Sequence, residues 1–166
     1  MTNKKQDNNT EETEGNVPNS PVVIHAQYTK DLSFENPHAP QSFRGQGNPE
    51  MDMNIELEVQ KIEDPDNDSL FEVVIKVNAT AKRTDQTLFL VELSYAALVT
   101  LNVEEKMQHP MLFVEVPHTI FPYARQIIAD STQSGGYIPL LLNPVDFKTM
   151  YLQRFGEQME KNAKKA

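Results

Sequence analysis

From Met51 to Val59 the chain alternates without a break. Met51, Met53, Ile55, Leu57 and Val59 fall on one side of an extended strand, and Asp52, Asn54, Glu56 and Glu58 fall on the other. A helix would scatter these apolar residues around its circumference, whereas a pleated strand gathers them on one face. After the turn-forming run Glu63-Asp64-Pro65-Asp66-Asn67-Asp68 the alternation resumes, with Phe71, Val73, Ile75, Val77 and Ala79 on one side and Glu72, Lys76, Asn78 and Thr80 on the other. The two segments predict an antiparallel hairpin with one apolar and one polar face.

Two more strands complete the sheet. The segment Val22 to Phe34 sets Leu32 and Phe34 on the core side against Asp31, Ser33 and Glu35, and the run Asn36-Pro37-His38-Ala39-Pro40 ends it. The segment Thr87 to Thr100 places Phe89, Val91, Leu93 and Tyr95 on one face, with Leu88, Leu90 and Leu98 on the other. Beyond it the period changes to that of helices. A helix over Val103 to Phe113 is expected to break at Pro110 and close at Pro117. Another runs from His118 to Ser134, with Ile120, Ala124, Ile127 and Ile128 on one face and Gly135-Gly136 as its exit. Asn143-Pro144 offers an N-cap and a first-turn proline for a third helix striped by Phe147, Met150, Tyr151, Phe155 and Met159. Strands followed by helices predict an α+β fold: a four-stranded antiparallel sheet with helices packed on one face.

At 166 residues the chain suits one domain. Residues 1–20 have almost no branched aliphatics and are expected to form a disordered tail. The domain then spans 21–155, and the lysine-bearing stretch 156–166 is expected to be a flexible C-terminal tail. The formal charge of −9 argues against nucleic acid or an anionic membrane as partner and favours a basic protein surface. There is no cysteine, and no apolar run follows the N-terminal lysines as a secretory signal requires, so a cytoplasmic protein without membrane insertion is expected.

Catalysis finds little support. The six glycines form no phosphate-binding loop, the four histidines are never paired at i, i+4, and no serine sits in a nucleophile elbow. No enzyme, metal or cofactor is expected. What remains is surface. The outer sheet face collects Asp31, Glu35, Asp52, Glu56, Glu58, Glu72 and Glu92, either to keep it soluble or to meet a basic partner. Leu88 and Leu90 share that face, as a partner contact or under the cover of a tail or subunit. The apolar run Tyr137-Ile138-Pro139-Leu140-Leu141-Leu142, with Phe43, Phe121 and Tyr123, either packs in the core or lines a groove for apolar side chains of an extended guest.

Three stretches resemble the SecB family in order and spacing: Tyr28-Thr29-Lys30-Asp31-Leu32-Ser33-Phe34-Glu35-Asn36-Pro37, Phe121-Pro122-Tyr123-Ala124-Arg125, and Asn143-Pro144-Val145-Asp146-Phe147. The resemblance implies a dimer of dimers that binds unfolded precursor proteins without ATP and passes them to SecA, the translocation ATPase. Carried over by position, it implies SecA contacts at Asp31, Glu35, Leu90 and Glu92. Guest-contact candidates are Phe43, Phe121, Tyr123, Tyr137, Ile138, Leu140 and Leu142. The rival expectation is a chaperone of similar fold dedicated to one unstable partner, such as an antitoxin.

Overall fold

A computed structural model describes residues 20–163, with side chains described as far as Gly156; residues 1–19 and 164–166, and with them most of the expected N-terminal tail, lie outside it. The predicted sheet is present. Its strands are β1 (Val22–Glu35), β2 (Glu50–Lys61), β3 (Leu70–Arg83) and β4 (Gln86–Leu101), in the order β1-β4-β3-β2, with every neighbour antiparallel. The long central strands carry the core, because only they have a partner on each side and a helix above them. Val73, Ile75 and Val77 of β3 face Ala97, Tyr95 and Leu93 of β4, and all six are buried. The edge strand β2 is covered only near its end, where Leu57 is buried while Met51 and Met53 stay 41% and 45% exposed.

The helical half differs from expectation at both ends. Residues Glu105–Pro110 form α1, Met111–Glu115 form a π-helical turn, and Val116–Ser134 form α2. Helical backbone persists through both junctions, with φ −62° and ψ −45° at Met111 and φ −62° and ψ −51° at Val116. The break expected at Pro110 and Pro117 is therefore absent. A proline ring in a regular α-turn strikes the carbonyl four residues back, which for Pro117 is that of Phe113. Here the Val116 amide instead donates five residues back to Met111, and this wider turn relieves the clash. Packing supplies the compensating free energy: Leu112, Val116, Ile120, Ala124 and Ile128 are all buried against the sheet, at about 1.5 to 3 kcal/mol for each of the larger ones.

At the far end of α2 the expected glycine exit is present, but its two glycines play different parts. Gly135 keeps right-handed angles, and Gly136 takes φ +88°. The Gly136 amide donates to the Gln133 carbonyl at 3.0 Å and the Tyr137 amide to the Thr132 carbonyl at 3.1 Å, the paired bonds of a Schellman motif. Gly135 is required for closeness instead, since a Cβ there would collide with the ring of Phe34.

The third helix, α3 (Phe147–Ala163), begins later than predicted. Its cap is Asp146 rather than Asn143. The Asp146 carboxylate accepts the Thr149 amide at 2.9 Å and the Thr149 hydroxyl at 2.8 Å. Leu142, only 1% exposed, anchors the preceding segment in the core, so the chain is still extended where Asn143-Pro144 would have turned it. Helix α3 continues through Gly156 to Ala163, across most of the stretch expected as a second tail.

Candidate functional site

The sheet has two surfaces of different chemistry. On the surface away from the helices, Asp31 lies opposite Ser94, Ser33 opposite Glu92, and Glu35 opposite Leu90. Asp31, Glu35 and Glu92 are exposed and Leu90 is half-buried, so the four positions form one patch across β1 and β4. Along the far edge, Asp52, Glu56 and Glu58 of β2 add further carboxylates, with Glu58 tied to Lys76 at 2.6 Å. Leu88 does not belong to this surface. It is 1% exposed within the core cluster, because Ala81 pairs with Phe89 and Lys82 with Thr87, which leaves Leu88 as the extra residue of a bulge. Strict alternation fails at a bulge, and this one re-aims Leu88.

Next to the Asp31 end of the patch, where Tyr28 pairs with Ala96 and Glu72 with Leu98, the same surface holds a cluster that composition does not reveal. Glu72 on β3 is 8% exposed, and its two oxygens are used separately: Oε1 accepts the Tyr28 hydroxyl, and Oε2 accepts Lys30 Nζ at 2.7 Å. Burial alone would raise the Glu72 pKa, but the hydrogen bonds from Lys30 and Tyr28 and the lysine charge outweigh it and hold the carboxyl below its ordinary value. The same hydrogen bond, with burial and the nearby negative charge, pushes the Tyr28 hydroxyl up to about 12.

The second surface lies where the β1–β2 loop meets the segment after α2. Four aromatic rings run in a row there: Phe34 to Phe89 at 5.8 Å, Phe89 to Tyr137 at 4.9 Å, and Tyr137 to Phe43 at 5.2 Å. The Tyr137 hydroxyl lies within hydrogen-bond distance of Asn36 Oδ1, Ser42 Oγ and the Leu88 carbonyl, fastening the loop to the sheet. Arg83 adds a bond from Nη1 to the Ser42 carbonyl at 3.1 Å. Beside this platform Ile138 is 89% exposed and Leu141 62% exposed, while Leu140 is half-buried.

The predicted guest-contact residues therefore divide. Phe43, Tyr137, Ile138 and Leu140 belong to this one region. Tyr123 is exposed but stacks on Tyr95, six residues along β4 from Phe89 and so about 20 Å away. Phe121 and Leu142 are core residues in this chain, because Phe121 turns inward from α2 to meet Phe147 edge-on and Leu142 plugs the space beneath. The sequence reading missed Leu32, which is 44% exposed on the helix side of β1, although its place on the apolar face was legible.

It also missed an aromatic cluster joining α1 and the π turn to α3. His109 hydrogen bonds to the Tyr151 hydroxyl at 2.9 Å, and Arg154 sits 5.1 Å from the centre of the Phe155 ring while donating to the Leu57 carbonyl at 3.1 Å. Burial and the charge of Arg154 lower the His109 pKa. No group of three His, Asp or Glu side chains among the described residues is placed to hold a metal ion, and no described helix is long and apolar enough to cross a membrane.

Known proteins similar to this chain fall in one family. The family model described as preprotein translocase subunit SecB matches residues 16–158. The protein-export protein SecB of Rhodospirillum centenum is 46% identical over 134 residues, covering 79% of this chain and 77% of that one. The protein-export protein SecB of Maricaulis maris is 47% identical over 130 residues, covering 77% and 73%. Among solved structures, a SecB-like chaperone of Mycobacterium tuberculosis, in complex with a peptide from an antitoxin, superposes with TM-score 0.60 at 20% identity, covering 75% of this chain and 91% of that one, a likeness of fold. On the family match and the identity to curated relatives, the chain belongs to the SecB family.

Proposed function

We propose that the protein is an ATP-independent export chaperone, a cytoplasmic holdase without catalytic activity that binds unfolded precursors and delivers them to SecA. The observation that carries this reading is the division of the sheet between two chemistries. Exposed apolar residues Phe43, Ile138 and Leu141 gather at the loop platform, and exposed carboxylates Asp31, Glu35 and Glu92 gather on the opposite surface. Leu32, which lines one groove with Phe34 and Ile127, extends this apolar area along β1, and Tyr123 adds contact area away from the platform. Each apolar guest side chain taken up contributes roughly 1.5 to 3 kcal/mol before the guest's ordering cost, so several shallow sites must act together. Assembly as a dimer of dimers multiplies those sites and offsets weak individual contacts. The acidic patch, with Leu90 at its edge, offers a complementary surface to a basic segment of SecA.

The relatives named as export proteins are more than twice as similar to this chain as the antitoxin-binding chaperone is, which favours export over service to a single partner. The test separates the two surfaces. The substitutions Asp31→Lys and Glu92→Lys should weaken SecA binding while leaving intact the ability to slow refolding of a mixed set of denatured proteins without nucleotide. Loss of both activities, or of neither, would contradict the reading.

A further inference from the structure

The acidic patch exists because strand β1 changes phase partway along. Tyr28 pairs with Ala96 and Thr29 with Tyr95, but the next pair is Asp31 with Ser94, so Lys30 is an inserted residue. Continued without the insertion, the first register would set Asp31 against Leu93, Ser33 against Val91 and Glu35 against Phe89. Those three β4 residues are buried under the helices at 2%, 0% and 4% exposure. A one-residue slip moves every following side chain to the other face of a sheet. Lys30 therefore turns Asp31, Ser33 and Glu35 outward and brings Leu32 and Phe34 in.

A bulge gives up ladder hydrogen bonds and needs something to hold it. Tyr28 and Lys30 flank Thr29 across the irregularity, and both reach over β4 to the same carboxylate on β3, one to each oxygen of Glu72. Ala96, directly opposite Tyr28, has no long side chain to obstruct that crossing. We infer that Tyr28, Lys30 and Glu72 form a clasp that fixes the β-bulge at Lys30, and that these are positioning residues for the docking carboxylates Asp31 and Glu35. The inference rests on the docking reading above.

Charge makes the test one of sign. If the patch works only through its summed field, Lys30→Met removes a cation and should tighten binding to SecA, and Tyr28→Phe should leave it unchanged. The clasp requires both to weaken binding, by roughly fivefold or more for Lys30→Met. Lys30→Arg, which keeps the charge and the reach, should restore it. Amide hydrogen exchange at Thr29, Lys30 and Asp31, followed on the free protein, should quicken in Lys30→Met and Tyr28→Phe with the rest of the sheet unchanged. Tighter or equal SecA binding in Lys30→Met overturns the inference. Should Asp31→Lys leave SecA binding untouched, the docking reading falls, and exchange alone then judges the clasp, with unaltered protection at these three amides overturning it. Tyr28→Phe keeps the ion pair, so it provides a folded variant if Lys30→Met proves too unstable.

Discussion

Glu72 shows how one carboxylate can behave unlike its neighbours. Its pKa is lowered in the folded chain, so its contribution to stability is complete above the ordinary carboxylate value near 4.5 and is lost as pH falls through the lower folded value. Protection of the Thr29 to Asp31 amides should accordingly hold through mildly acidic solution and be lost only as pH falls below about 4.5, before the core strands unfold, as exchange followed from neutral pH downward would reveal. Tyr28 gives the complementary limb. Its raised pKa means that its contribution is present below about 10 and fades as pH rises towards about 12. Replacement by Phe should remove the latest-titrating step from the tyrosinate absorbance curve.

Buried side chains carry larger penalties. Ile120 is 0% exposed where α2 meets the sheet, and Ile120→Ala should cost about 2 to 5 kcal/mol in denaturant unfolding, the range for a cavity in a packed core. Its effect should be the same whether or not a guest is bound, since the residue faces no surface.

At the scale of elements, the ends of the helices decide what the loops can present. The Gly136 φ of +88° lets the chain turn back after α2, and a Cβ there would also meet the Phe43 ring at 3.1 Å. Gly136→Ala should therefore cost about 1 to 2 kcal/mol and loosen the Phe43–Tyr137 platform. Chemical denaturation gives the first number, and faster exchange of the Tyr137 amide, which bonds to Thr132, checks the second. Gly156 presents the opposite case. It lies inside α3 with open space around its Cβ position, so Gly156→Ala should stabilise the helix by roughly 0.5 to 1 kcal/mol. Helix α3 is also held by Arg154 to the Leu57 carbonyl and by Tyr151 to His109, contacts that tie it to β2 and α1.

For the whole molecule, the separation of chemistries predicts a separation of salt responses. With a net charge of −9 and an exposed acidic sheet face, association with a basic partner should slow as ionic strength rises past about 0.15 M, where charges more than about 8 Å apart are screened. Guest holding rests on apolar area and should change little over the same range. Titrating salt against SecA binding and refolding suppression in one preparation tests both. Parallel loss of the two activities would mean that the surfaces are not independent.

The sheet was legible because its information is local: alternation at Met51 to Val59 and Phe71 to Ala79 requires strands whatever surrounds them. The outward set Asp31, Ser33 and Glu35 was legible for the same reason, as was the glycine exit from α2. The tertiary structure alone decided what depends on distant partners. Lys30 reads as one more polar residue until Glu72, on a strand two places away, shows it to be the inserted one. Leu88 looks exposed until the bulge beside Lys82 turns it inward. Pro110 and Pro117 signal a break that packing of Leu112 and Val116 on the sheet overrides, and the place of Leu142 in the core selects Asp146 over Asn143 as the cap. Periodicity fixes which residues share a face. Register, and what comes to cover that face, arise only when strands far apart in sequence meet.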